Sequence, residues 1–265
     1  MLLNLEKAIY IKRLSLKDIE KFENEKGVHF SRIYFGNEFC ENLIPTPSEI
    51  RNFLSSFRNK DFELSFLTPW VTDRGIKKLE GILKILPKGT EIVFNDWGIL
   101  NLINKFNKGG SKNFKRVLGR LLVFHYRDPR IIATKSRKLK RGLQSSSLNA
   151  KKFQKFLQDN KISRVELDNT YQGYNFKISK KLKTSLYYPF VFIATATNCV
   201  YKKNFDLPNC NFGCRKGFFK IYFPEFNIYT FDQGNTQFYV NNKIPPSNLL
   251  KLWGVDRLVF FPEIP

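Results

Sequence analysis

Short apolar runs alternate along this chain with longer stretches whose apolar positions recur at helical spacing. The first run is Ala8-Ile9-Tyr10-Ile11. Ser15 follows with Asp18 three residues on, the pattern of a capped helix start. Residues 30–35 read as the first clear strand, closed by Gly36. Pro45-Thr46-Pro47-Ser48 then caps a helix over 49–57, and a strand follows at 62–67. Over 75–86 the residues Ile76, Leu79, Ile82, Leu83 and Leu86 fall on one helical face. Pro87-Lys88-Gly89 stops that helix before a strand at 91–94 and a helix at 99–106.

The alternation continues with a strand at 120–124, a helix at 150–159, a strand at 164–167, a helix near 175–182 and a strong strand at 186–194. Residues 218–240 are richer in aromatic and turn residues, which predicts antiparallel pairing. A short helix at 247–253 and a strand at 257–261 follow. About seven or eight β/α units on one chain predict an α/β protein of the (β/α)8 TIM-barrel type, irregular or incomplete toward its C-terminal end. The expected organisation is a single domain over 1–265 with a basic loop insertion at about 127–150. In a barrel, the loops after the strands share one face, where sites are built.

Charge changes the picture next. There are 45 Lys and Arg against 23 Asp and Glu, a net charge of +22, which favours polyanions such as RNA. Residues 112–155 hold 14 of the cations and one acid, Asp128. The stretch 134–147 reads as a long flexible loop. Its Lys135, Arg137, Lys138, Lys140 and Arg141 are the nucleic-acid candidates, with Phe153 and Phe156 nearby to stack bases. A solvated surface loop is the plainer alternative. No run of 18 apolar residues occurs and the N-terminus has no long apolar segment, so no membrane span and a cytoplasmic location are expected.

The cysteines supply the sharpest chemistry. Three of the four lie in a Cys-x10-Cys-x3-Cys run, Cys199, Cys210 and Cys214, and Cys40 follows the first clear strand. Since the strong strand at 186–194 leads into Cys199, the barrel expectation puts all four thiols on one face. In a reducing compartment, cysteines point to metal or redox work rather than to disulfides. Soft thiolates take an iron-sulfur cluster or zinc. Zinc usually draws on paired short Cys knuckles, and only Cys210 and Cys214 come near that spacing. Four buried, inert cysteines are the third reading.

Several segments resemble one family. Tyr34-Phe35-Gly36-Asn37-Glu38-Phe39-Cys40, Phe94-Asn95-Asp96-Trp97-Gly98, and the strand into Cys199 with Cys210 and Cys214 are similar to the collagenase-like peptidase family (unassigned peptidase family 32). Within it, they look closest to the V-type accessory proteins of oxygen-independent ubiquinone hydroxylation. Gly119-Arg120-Leu121-Leu122 and Arg127-Asp128-Pro129-Arg130 add to the likeness, which runs from about residue 32 to 214. The resemblance implies a barrel and a 4Fe-4S cluster ligated by Cys40, Cys199, Cys210 and Cys214. It also implies a homologous partner, as a heterodimer, in hydroxylation without molecular oxygen. Other relatives act on tRNA or ribosomal RNA, and some are named as peptidases.

Asn95, Asp96 and Trp97, His125 and Tyr126, and Asp168 and Asn169 fall at expected strand ends, where they would line a substrate pocket or relay protons. Helix capping and turn formation are the ordinary roles of Asp96 and Asp168, and His125 reads equally as a satisfied core histidine. No His-Glu-x-x-His helix, Gly-x-Ser-x-Gly elbow or nucleophile beside a base supports a peptidase. Three function classes are carried: first a cluster protein of oxygen-independent hydroxylation acting with a partner, second an RNA-binding or RNA-modifying protein with a structural cluster, and third a peptidase of the collagenase-like family, which rests on the family naming alone.

Overall fold

In the computed structural model, residues 5–12, 16–58, 60–202 and 210–265 are described. Strand β1 (Glu6–Ile11), helix α1 (Leu16–Lys26), β2 (Arg32–Gly36), α2 (Pro47–Phe57), β3 (Glu63–Leu67), α3 (Asp73–Ile85), β4 (Glu91–Phe94) and α4 (Trp97–Lys108) open the chain. Next come β5 (Lys115–Leu118), α5 (Arg137–Leu143), α6 (Lys151–Asp159), β6 (Ile162–Asp168) and β7 (Lys183–Tyr188). The chain then leaves the ring for β8 (Phe190–Thr195), β9 (Phe219–Phe223), β10 (Ile228–Gln233) and β11 (Thr236–Val240). It returns through α7 (Ser247–Leu252) to β12 (Val255–Phe260).

Eight of these strands close a barrel in the order β1-β12-β7-β6-β5-β4-β3-β2, with β1 parallel to both β12 and β2. This is the expected (β/α)8 architecture. Local chemistry sets its elements. Thr46 caps α2 by accepting from Glu49 N while the Glu49 side chain accepts from Thr46 N, a reciprocal box that satisfies two orphan donors. The apolar face of α3, with Leu79, Ile82 and Leu83 buried, packs with Ile92, Phe94 and Ile99 in the shell between helices and ring. Ser15, the expected cap of α1, lies outside the described residues.

The ring interior is filled rather than hollow. Tyr10, Tyr34, Val93, Val117, Tyr187 and Phe261 form its apolar layer, with Tyr10 and Phe261 stacked at 4.5 Å. Toward the strand starts lies a buried polar layer. Arg257 donates to Tyr34 Oη and to Glu91 Oε2, each at 2.7 Å, and Tyr34 donates to Glu166 at 3.0 Å. These bonds meet the rule that interior charges must be paired. The Arg257 and Arg32 guanidiniums hold the Glu91 carboxyl down to about 2 despite burial. Burial pushes Glu166 up to about 7.

Four expectations change. The strand at 186–194 is two strands: β7 belongs to the barrel and β8 to a separate antiparallel sheet ordered β8-β11-β10-β9. The strand expected at 120–124 falls instead at β5, because Asn95 Oδ1 takes Leu121 N and residues Arg120–Leu122 turn as a 3-10 helix. The helix near 175–182 does not form. Its backbone is engaged by the Gln154 side chain, which donates to Lys177 O and accepts from Ser179 N, so i to i−4 bonding is displaced. The loop at 134–147 contains α5, started by Ser136 accepting from Leu139 N. Among the described residues no helix is long and apolar enough to cross a membrane.

Candidate functional site

The antiparallel sheet is inserted between two adjacent barrel strands, since β7 pairs with β12. It seats over the strand-end face of the ring through Phe192 and Phe238, which pack with Phe39 of the loop after β2. The ring centroids of Phe39 and Phe238 are 5.3 Å apart in an edge contact. Three cysteines belong to this inserted unit and one to the barrel, so the thiol site lies at the seam. Cys199 therefore follows β8 of the small sheet, not a barrel strand.

Backbone constraints place Cys40. Gly36 ends β2 at φ 122°, and a Cβ there would sit 2.3 Å from Leu67 O, so no other residue fits the turn out of the strand. Asn37 Oδ1 accepts from Phe39 N at 3.0 Å and from Cys40 N at 2.7 Å. Cys40 then starts the 3-10 turn Glu41–Leu43. Its half-buried thiol faces the N–H groups of Asn42 and Leu43. Cys210 accepts Phe212 N at 3.4 Å, and Cys214 is buried in the 3-10 turn Gly213–Arg215.

The turn between β10 and β11 joins these segments. Gln233 Nε2 donates to Cys214 O at 3.1 Å. Gly234, at φ +64°, brings its backbone so near that a Cβ would lie 3.6 Å from Cys214 Cβ. Its carbonyl accepts from Val200 N, beside Cys199, at 3.3 Å. Asn235 Nδ2 donates both to Phe39 O at 2.7 Å and to Ala196 O at 2.6 Å, stapling the Cys40 loop to the Cys199 loop. Nothing in the sequence but a Gln-Gly-Asn turn signal marked this role.

Burial is the main cause that pushes Cys40 up; the Asn42 and Leu43 N–H groups oppose it, and negative charge on Cys210 and Cys214 adds to it. Cys214 is raised by burial, then by Cys199 and Cys210, against the pull of Lys12. All four are free thiols. Among the described residues, no three His, Cys, Asp or Glu side chains are grouped at the spacing of a single metal ion. By residue type the four thiols are soft donors, and two of them, Cys40 and Cys210, have backbone N–H groups directed at sulfur.

The substrate-pocket candidates are spread over several environments. Asn95 is buried, donating to Thr68 O and accepting from Leu121 N. Asp96 caps α4 by accepting from Gly98 N at 2.7 Å. Trp97 is exposed and rests edge-on against Phe156. His125 is buried between Ser145 O and Thr170 Oγ1 and stacked on Tyr174, and burial lowers its pKa to about 4. Tyr126 is exposed beside Phe124. Asn169 ties to Asn241 and Lys243 carbonyls.

Asp168 belongs to the group that closes the strand-end face of the ring. Arg120, wholly buried, donates to Asp168 at 2.7 Å and pairs with Glu38. Arg127 Nε takes the other Asp168 oxygen at 2.7 Å. The Arg120 guanidinium lies 4.1 Å from the Tyr187 ring centroid, and Arg127 lies 4.1 Å from that of Phe192. Lys135, Arg137, Lys138, Lys140 and Arg141 are all exposed, on α5 or just before it.

No family model and no curated protein matches the chain. Among solved structures, a glycoside hydrolase family 18 N-acetylglucosaminidase from Paenibacillus barengoltzii aligns over 97% of this chain and 94% of its own. The identity is 9% and the TM-score 0.41. The reading of the site therefore rests on the chain's own residues.

Proposed function

We propose that this chain is an iron-sulfur protein in which Cys40, Cys199, Cys210 and Cys214 hold one 4Fe-4S cluster at the seam between barrel and inserted sheet. The observation that carries the proposal is the turn between β10 and β11, where the Asn235 side chain bridges Phe39 O, beside Cys40, to Ala196 O of the loop leading to Cys199, and Gln233 Nε2 holds Cys214 O. A bound cluster would supply one-electron chemistry. The chain's own contribution is to bring Cys40 to the other three, to donate N–H bonds to sulfur and to offset negative charge with Lys12. The family likeness supports a role beside a homologous partner in oxygen-independent hydroxylation of the ubiquinone-biosynthesis type. With Arg120, Glu38 and Asp168 sealing the ring, the reading places substrate at the seam rather than inside the barrel.

The test is anaerobic purification of the wild type and Cys40→Ser with iron, sulfide and zinc analysis. About four irons and four sulfides per wild-type chain, reduced in the variant, are expected. A single zinc per chain, or iron content indifferent to Cys40, overturns the proposal.

A further inference from the structure

The outer half of the inserted sheet is unusual for a protein surface. Phe218, Phe219, Tyr222, Phe223 and Tyr229 are all between 37% and 54% exposed. Tyr222 pairs across the strands with Tyr229, their rings 4.7 Å apart. β9 is an edge strand, bonded only to β10 in the order of the sheet. Strand alternation puts Lys220, Tyr222 and Tyr229 on one face of the ribbon and Phe219 and Phe223 on the other, and exposed aromatics of this kind mark an interaction surface.

Cations are interleaved with the rings. Lys220, two residues from Tyr222 on the same face of β9, places Nζ 4.0 Å from the Tyr229 centroid. The 3-10 turn Pro224–Phe226, which joins β9 to β10, lies against the 3-10 turn Pro129–Ala133. That second turn leads directly into the exposed cations on and before α5. The tip of the aromatic ribbon thus adjoins the start of the basic segment.

We propose that this surface, the β9–β10 ribbon with the adjoining segment 130–141, binds single-stranded RNA. Rings on a sheet stack unpaired bases without strong sequence preference, and interleaved cations take the phosphates. The core of a protein–protein interface is instead depleted in Lys, and two copies of a chain with a net charge of +22 repel one another. RNA rather than DNA is assigned because the phenols stand among the rings. The Tyr222 hydroxyl donates to Asn227 at 3.1 Å and its oxygen can accept from a ribose 2′-hydroxyl. The site stands apart from the cluster reading, since none of these residues is a thiol ligand.

The full chain, purified anaerobically, is titrated into a labelled oligouridine of about 16 nucleotides, the upper site size of sheet-type single-strand binders. Fluorescence anisotropy is read at several salt concentrations. The paired change Tyr222→Ser with Tyr229→Ser is expected to weaken binding about tenfold or more. Lys138→Ala, Lys140→Ala and Arg141→Ala together should weaken it and flatten the salt dependence. Tyr222→Phe with Tyr229→Phe should retain binding but lose the preference for RNA over DNA of the same sequence. Far-UV circular dichroism confirms that each variant is folded. Binding that survives in Cys40→Ser is expected, and separates this site from the cluster. Absence of wild-type binding, equal affinity for duplex RNA, or indifference to the ring substitutions overturns the proposal. So does a change in self-association, rather than in RNA binding, on losing the rings.

Discussion

The barrel and the inserted sheet solve the same problem of covering strand faces in opposite ways. In the barrel, β4 is buried at every position and no strand has an edge, because β12 closes the ring between β1 and β7. In the sheet, β9 is exposed at four of its five positions and ends the row. A closed ring buries its polar groups and pairs most of them internally, Glu166 Oε2 and Tyr187 Oη being exceptions without a hydrogen-bond partner. An open sheet leaves groups at its rim for something else to meet. The ring is therefore complete in itself while the rim of the sheet stays open, with Cys40 on the barrel side of the seam and Cys214 on the sheet side.

The largest effect expected from breaking this arrangement is in the ring. Arg120→Met removes the one guanidinium between Glu38 and Asp168 and leaves buried carboxylates short of a partner. A stability loss of about 3–5 kcal/mol is expected, read by urea unfolding. If the loss is under about 1 kcal/mol, in the range of an exposed pair, the plug is not structural.

A smaller global effect with a larger local one is expected at the seam. Asn235→Ala removes the donor shared by Phe39 O and Ala196 O, costing about 1–3 kcal/mol. Cys40 should then react faster with a maleimide in the metal-free protein, and iron should be lost sooner from the loaded one. Unchanged labelling of Cys40 would mean that Asn37 alone positions the loop.

The smallest effect is titration at His125. Burial holds this imidazole neutral, with its folded value near 4 against 6.5 in the unfolded chain. A depressed histidine contributes stability above pH 6.5 that is lost as pH falls through 4. His125→Gln should therefore flatten the acid side of the stability profile, followed by thermal unfolding between pH 7 and 4. A profile as steep as the wild type's would assign the acid sensitivity to other groups.

The barrel was largely legible because amphipathic period and breaker residues are local signals. The faces of α3 and the Thr46–Glu49 box are written within one or two turns of helix. Where cations disguise a strand, as Lys115 and Arg116 do in β5, the pattern fails. It fails again at 175–182, where the Gln154 side chain takes over the backbone bonds from outside the segment. The four cysteines could be picked out by residue type alone. The turn that assembles their loops could not, because Asn235 acts on a carbonyl 196 residues away.

The position of β12 has a consequence for the order of synthesis. Every thiol precedes it in the chain, and the contacts that close the ring, β12 with β1 and with β7, involve residues 255–260. A nascent chain that has just released Cys214 already carries all four sulfurs, on an incomplete sheet whose two rims are unjoined. The loops that carry the thiols are therefore complete before the ring can shut, and the seam they line is fixed last, when β12 joins β1 to β7.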